Sequence, residues 1–417
     1  MEEMKIKGYW WLPSNPKKCI AGILTFNGKE SSTLELFGHF DSLSYPSYRK
    51  FDPNACPLIL GIGEKGKKYS LLYNICGPYF STTFVLWPIT IDIILEGIHL
   101  TDVNQKCFNG ELLSFKNLRD WYRKELIEVQ EEDNYQIYKC KLDVSLDCRV
   151  VALSDGSKCI IVPTRHNSFV GRNDELHLFQ STQIALATPE VFSARDFLSK
   201  ARILQQFVSL LFLSPQYFDG INLKENCNEY YEVKMYVRND TTIKPFFGAF
   251  MKYDIIKDKL DDIIRKWFEY SEELYPIQNH LFRTLDPSKS IGNEDFLVVA
   301  QAIDGLTKTR IQLPGKLENR LARLYDVLGG VFRLQNNKMD PDVFRATRNY
   351  YTHMSKGNDH NKVAKDGELI TLQQQSKLLL TCALLHIYGL SDNEIDECLK
   401  HSPFTGWMHL NMRLPTD

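Results

Sequence analysis

The sequence predicts an α+β chain, with a mainly antiparallel β domain at residues 1–245 followed by an all-α helical bundle at residues 246–417. Three observations carry this. Apolar residues alternate with polar ones at period two through much of the first half; after Asn239-Asp-Thr-Thr and Pro245 the period becomes about 3.6 and stays there. A length of 417 residues is enough for two to three domains, each with its own core.

In chain order, strands are expected at Ile20 to Phe26, Thr33 to Phe40, Tyr69 to Asn74 and Thr83 to Leu95. Gly61-Ile-Gly63 lacks the strand, helix and downstream acid of a dinucleotide fingerprint and reads as a turn, and Lys65-Gly66-Lys67-Lys68 as a solvated basic hairpin tip. A helical stretch is expected from Leu118 to Glu128. Next come Tyr138, Cys140, Leu142 and Val144, which alternate with Lys139, Lys141 and Asp143 as a half-buried strand requires. Arg149 to Leu153 and Cys159 to Val162 flank Ser154-Asp155-Gly156-Ser157, a hairpin turn signal. Ala194 to Leu213 has helical spacing with Ser214-Pro215 as its stop, and Val233, Met235 and Val237 return to period two. In the α half, Phe296, Val299, Ile303 and Leu306 mark one helix face. Leu317, Leu321, Leu324, Leu328 and Val331 mark another, and Thr371 to Ile387 is apolar nearly all round, hence central.

Composition removes several functional classes. Lys+Arg 50 against Asp+Glu 52 gives a net charge of -2, so no global field attracts nucleic acid or an anionic membrane, and a polyanion has to be held locally. The ten cysteines form no CxxC pair and no Cys/His group at zinc-ligand spacing, so neither a metal site nor a disulfide framework is expected, and no cofactor is called for. The charged start Met1 to Lys7 lacks the apolar core of a signal peptide, so a cytoplasmic location is expected. The most apolar stretches, Thr82 to Leu95 and Leu378 to Leu390, are interrupted by Pro88 and Asp92 or His386, so no membrane association is expected.

Chemistry is carried by one helix. Asp340-Pro341 is a helix start, with Asp as N-cap and Pro in the first position, and the stop is expected near Ser355-Lys-Gly357, where Gly357 and Asn358 take left-handed dihedrals. The last two turns hold Arg348-Asn349-Tyr350-Tyr351-Thr352-His353. An Arg and a His five residues apart differ by about 140° and about 7.5 Å, so they flank a groove rather than stack. Without paired carboxylates, this pair suits phosphodiester cleavage in which a ribose 2'-OH attacks its own phosphate: His353 moves the proton, Arg348 holds the growing phosphoryl charge, and Asn349 orients them. Arg345, Lys356, Lys362 and Lys365 make the neighbourhood basic, and Tyr350 and Tyr351 offer rings on which an RNA base can stack. His360 lies within reach of such an RNA, although Gly357-Asn-Asp-His-Asn reads first as a turn. Arg172-Asn173-Asp-Glu-Leu-His177 repeats the spacing, but its acids and the strand-like Leu176 to Phe179 argue against chemistry there.

An all-α region with Arg-Asn-x-x-x-His closing a late helix, followed by a polar loop and a long apolar helix, resembles a HEPN domain. Gly8-Tyr-Trp10-Trp11-Leu-Pro13, Gly22-Ile-Leu24 and Leu34-Glu-Leu36-Phe-Gly38 resemble the N-terminal domain of ApeA-type antiviral HEPN proteins. The resemblance implies a cytosolic bacterial anti-phage ribonuclease of the abortive-infection type that cuts RNA, with tRNA the expected substrate. It also implies a phage-encoded trigger protein, a β domain that senses or restrains, and a homodimer or larger assembly in which two Arg/His motifs meet. An acid on an earlier helix, here Asp304, is implied beside the motif. Two rival readings stay open: a non-catalytic RNA- or protein-binding defence protein, and a carbohydrate-binding β domain resting on Trp10, Trp11 and Trp87.

Overall fold

The computed structural model describes residues 3–28, 31–38, 40, 58–73, 87–122, 127–132, 135–140, 147–170, 175–238, 248–285, 292–354 and 360–402. The chain divides into two compact units, one of Met1–Arg202 with Tyr217–Pro245, the other of Ile203–Gln216 with Phe246–Asp417. A contiguous cut at residue 245 therefore misplaces one segment: residues 203–216 belong with the helical unit.

Among the described residues, every strand pairing of the first unit is antiparallel. Its strands are β1 (Met4–Trp11), β2 (Ile20–Phe26), β3 (Ser32–Leu36), β4 (Leu58–Gly63), β5 (Lys68–Leu72), β6 (Trp87–Ile91), β7 (Ile93–Glu96), β8 (Phe108–Phe115), β9 (Ile127–Glu132), β10 (Tyr135–Cys140), β11 (Arg149–Ala152), β12 (Lys158–Val170), β13 (Glu175–Phe192), β14 (Phe218–Glu225) and β15 (Val233–Val237). Thirteen pair in the order β11-β12-β13-β8-β14-β15-β7-β5-β4-β1-β2-β3-β6, and β9 with β10 forms a separate hairpin. Only Asp92 separates β6, at the end of that order, from β7, which pairs with β5. The run from β7 to β6 therefore begins and ends on strands that are consecutive in the chain. Its interior is filled by Trp10, Leu24, Leu34, Ile59, Leu71, Ile89 and Ile94, all essentially without exposed surface.

Two local expectations are corrected in this unit. Gly61-Ile62-Gly63 is strand, not turn: it pairs with Trp10, Tyr9 and Gly8 of β1. Gly61 is required there because a Cβ would stand 2.1 Å from Cε3 of the Trp10 ring. Of the helix expected over Leu118 to Glu128, the described residues show α1 (Leu118–Tyr122), and Ile127 onward is already β9, whose register with β10 outweighs the helical spacing. Of the strand expected at Tyr138 to Val144, residues 141–144 lie outside the described ones.

Helix α2 (Ala194–Phe212) contributes residues to both units. The second unit continues with α3 (Tyr253–Ile256), α4 (Leu260–Glu269), α5 (Ser271–Thr284), α6 (Asn293–Thr309), α7 (Leu317–Val327), α8 (Phe332–Gln335), α9 (Pro341–His353), α10 (Asp366–Ile387) and α11 (Asp392–Leu399). Helix α10 is central, since every residue from Leu378 to Leu385 is buried. The apolar face traced over Leu317 to Val331 breaks into α7 and α8 at Gly329-Gly330; the Gly330 N–H donates to Asp392 at 3.0 Å, and a Cβ on Gly330 would collide with that carboxylate. In residues 203–216, the Ile203 carbonyl accepts from Trp267 Nε1 at 2.9 Å and Phe207 packs edge-on against the Trp267 ring. Among the described residues no helix is long and apolar enough to cross a membrane, and the cysteines whose state is defined, Cys19, Cys107, Cys148, Cys159, Cys227, Cys382 and Cys398, are free thiols.

Candidate active site on helix α9

Helix α9 starts as its sequence requires: the Asp340 carboxylate accepts from the backbone N–H groups of Asp342 at 2.8 Å and Val343 at 3.4 Å, with Pro341 in the first turn. Its inner face is Phe344, Ala346 and Thr347, all buried, with Phe344 packed edge-on against Phe296 of α6 at 5.5 Å. That anchorage leaves the last two turns to present the motif. Arg348 and Asn349 are half-buried and joined, Arg348 Nη1 donating to Asn349 Oδ1 at 3.1 Å. The bond is charge-assisted, since its donor is a guanidinium. Thr352 Oγ1 donates back to the Arg348 carbonyl at 2.7 Å.

His353 is the last helical residue and is exposed. The stop comes earlier than expected, and a methionine makes it: Met354 adopts the left-handed conformation at φ 50°, its N–H closing on the Tyr350 carbonyl at 2.7 Å. Non-glycine residues take this conformation at a cost of roughly 1–2 kcal/mol. Gly357 and Asn358, the expected stop, lie outside the described residues, as does Lys356.

Beyond residue 359 the chain returns along α9. Ala364 N donates to Thr347 Oγ1 at 2.9 Å, and Lys362 Nζ to Asp342 Oδ2 at 3.1 Å. His360, in the short 3-10 turn His360–Lys362, comes to rest beside Tyr350 with ring centroids 5.4 Å apart, and Tyr350 meets Tyr351 at 5.1 Å. The sequence left His360 in a turn without a partner. The one local signal was Thr347, a hydroxyl on an otherwise apolar helix face, which is the anchor of the returning segment.

The electrostatics are less basic than the sequence suggests. Arg345 lies 3.7 Å from Glu318 and 3.6 Å from Asp342, and Lys362 is paired with the same Asp342. The Lys362 ammonium, with Arg345 behind it, holds the Asp342 carboxyl below the usual carboxylate range. Burial, with Tyr350 and Asp366 nearby, pushes the Tyr351 phenol up, so it stays protonated at neutral pH. Lys365 is exposed. Asp304 is engaged by Arg320, itself buried, and by Lys308 at 2.8 Å, and Arg320 also bonds Thr307 and the Gly315 carbonyl. The partners of Asp304 therefore come from α6 and α7.

Elsewhere, Arg172 and Asn173 of the second Arg-Asn-x-x-x-His copy lie outside the described residues, while His177 falls on strand β13. Trp10 is fully buried in the β unit and Trp11 packs against His99 at 5.3 Å, which accounts for two of the three tryptophans behind a carbohydrate-binding reading. Among the described residues no group of three or more His, Cys, Asp or Glu side chains could hold a metal ion.

Comparison with known families matches residues 5–267 to the family described as ApeA N-terminal domain 1 and residues 236–394 to the one described as Apea-like HEPN. The second match contains the whole of α9 and the returning segment. No curated protein and no solved structure matches the chain.

Proposed function

Because the chain belongs to the ApeA-type HEPN family, we propose that it is an anti-phage ribonuclease of the abortive-infection type, cleaving RNA, and tRNA foremost, without a metal ion. The observation that carries this reading is the hydrogen-bonded pair Arg348–Asn349 in the last two turns of a helix that ends on the exposed His353. In the proposed step the 2'-oxygen attacks the adjacent phosphorus while its proton is removed. The bond from phosphorus to the 5'-oxygen breaks, that oxygen takes up a proton, and the products carry a 2',3'-cyclic phosphate and a 5'-hydroxyl. Arg348 neutralises the charge gathering on the non-bridging oxygens. In a homodimer, two His353 imidazoles, one from each copy, divide proton removal and delivery. The β unit is proposed to sense the trigger or restrain the site.

The test is incubation of the full-length chain, alone and with extract of phage-infected cells, with total tRNA in EDTA, followed by analysis of fragment ends. Cyclic phosphate ends are expected, and His353→Ala is expected to reduce cleavage at least about hundredfold. Cleavage that survives His353→Ala would remove this site from consideration. A second reading, a non-catalytic defence protein whose helical unit binds RNA or a protein partner, draws on the neutralisation of Arg345 and Lys362 by acids. Absence of cleavage under both conditions, with the chain folded, favours it.

A further inference from the structure

Three rings stand in series at the end of α9. Tyr351 meets Tyr350 edge-on at 5.1 Å, and Tyr350 meets His360 at 5.4 Å with the planes tilted by 50°. All three are only half-buried, so each retains open surface, and the core face of α9 is already made by Phe344, Ala346 and Thr347. The series is built from two segments, the helix and the returning chain, and the second is tied down by the bond from Ala364 N to Thr347 Oγ1. His360 is placed by ring contact: its Nδ1 is buried and has no hydrogen-bond partner. Tyr351 is three residues from Arg348 and Tyr350 three from His353, the spacing at which helix side chains are neighbours. The rings are therefore neighbours of Arg348, assigned to the phosphate, and of His353, assigned to proton transfer.

We propose that Tyr351, Tyr350 and His360 form a base-stacking subsite that receives an unpaired nucleotide next to the phosphate held by Arg348, so that the site selects single-stranded RNA over duplex. This rests on the ribonuclease reading above. A paired base has its faces covered by its neighbours and cannot enter such a platform, whereas a loop base can leave its stack and lie on aromatic rings. Stacking is indifferent to base identity, so the selection is for unpaired structure rather than for sequence.

The test uses the full-length chain carrying His353→Ala, so that binding is read without cleavage. Its probes are a labelled RNA hairpin with an unpaired loop and the blunt duplex of the same stem. Tyr350→Leu and His360→Leu are each expected to weaken hairpin binding about tenfold and leave duplex binding unchanged. Tyr350→Phe and His360→Phe, which keep a ring, are expected to retain the preference. An equal loss on hairpin and duplex, or none, would overturn the subsite. If the leucine variants melt earlier than the parent, His360→Phe decides alone, because loss of hairpin binding there assigns the effect to the imidazole nitrogens and overturns stacking. Cleavage by the unmodified chain, with hairpin preference unmoved in the leucine variants, overturns the subsite only. Neither binding nor cleavage overturns the ribonuclease reading and the subsite together.

Discussion

Glu111 on β8 has no exposed surface, and neither carboxylate oxygen has a hydrogen-bond partner. It stands opposite Leu186 on one neighbouring strand and Leu223 on the other, in positions an apolar residue would fill. Burial pushes its carboxyl well above the usual range, with Lys200 pulling more weakly the other way. The folded chain thus keeps a proton that the unfolded chain releases above the ordinary Glu range, and the fold loses stability as pH rises from there towards the raised value. Glu111→Gln is expected to raise the melting temperature by a few degrees at neutral pH, with the gain vanishing at or below about pH 4.3. A gain that does not change with pH would show that the side chain is not protonated in the fold. At the same scale, the Arg348–Asn349 pair was legible as a motif because both residues are local to one helix. The occupation of Arg345 by Glu318 was not, because the acid lies on a different helix.

Among the elements, α9 separates what local chemistry decides from what it does not. Asp340-Pro341 specified the start through a side-chain cap and a preset φ, both short-range effects. The end was placed at glycine by the usual preference, yet Met354 makes the left-handed turn. Met354 is 68% exposed, so little packing is lost on replacement. Met354→Gly is expected to stabilise the helical unit by about 1 kcal/mol, read as a shift in denaturation midpoint. A shift in the opposite direction would mean that the methionine side chain supports the turn. The same contrast holds for β4: Gly61-Ile-Gly63 has the composition of a turn, but the glycine is there to admit the Trp10 ring from β1, fifty-one positions earlier in the chain.

For the whole molecule, residues 203–216 carry a concrete consequence. They supply the helical unit with Phe207 against Trp267 and with the carbonyl that satisfies the buried Trp267 N–H. A fragment of residues 246–417 lacks both, leaving an apolar face and an indole donor without partners, each worth on the order of 1–3 kcal/mol. It is expected to melt without a cooperative transition in circular dichroism, while the full chain melts cooperatively. A sharp transition in the fragment would show that the segment is dispensable. The amino-acid sequence by itself determined the order of a β-rich and a helical region, because hydrophobic period follows from the geometry of each backbone conformation. It also determined the capped helix with Arg348, Asn349 and His353, because capping and helical spacing act over a few residues. Only the tertiary structure decided that Trp10 rests on Gly61, that Glu318 is brought against Arg345, that His360 stacks on Tyr350, and that residues 203–216 complete the helical unit. Each of those depends on partners brought together from other elements or from a returning chain by packing, and no local propensity encodes such a pairing.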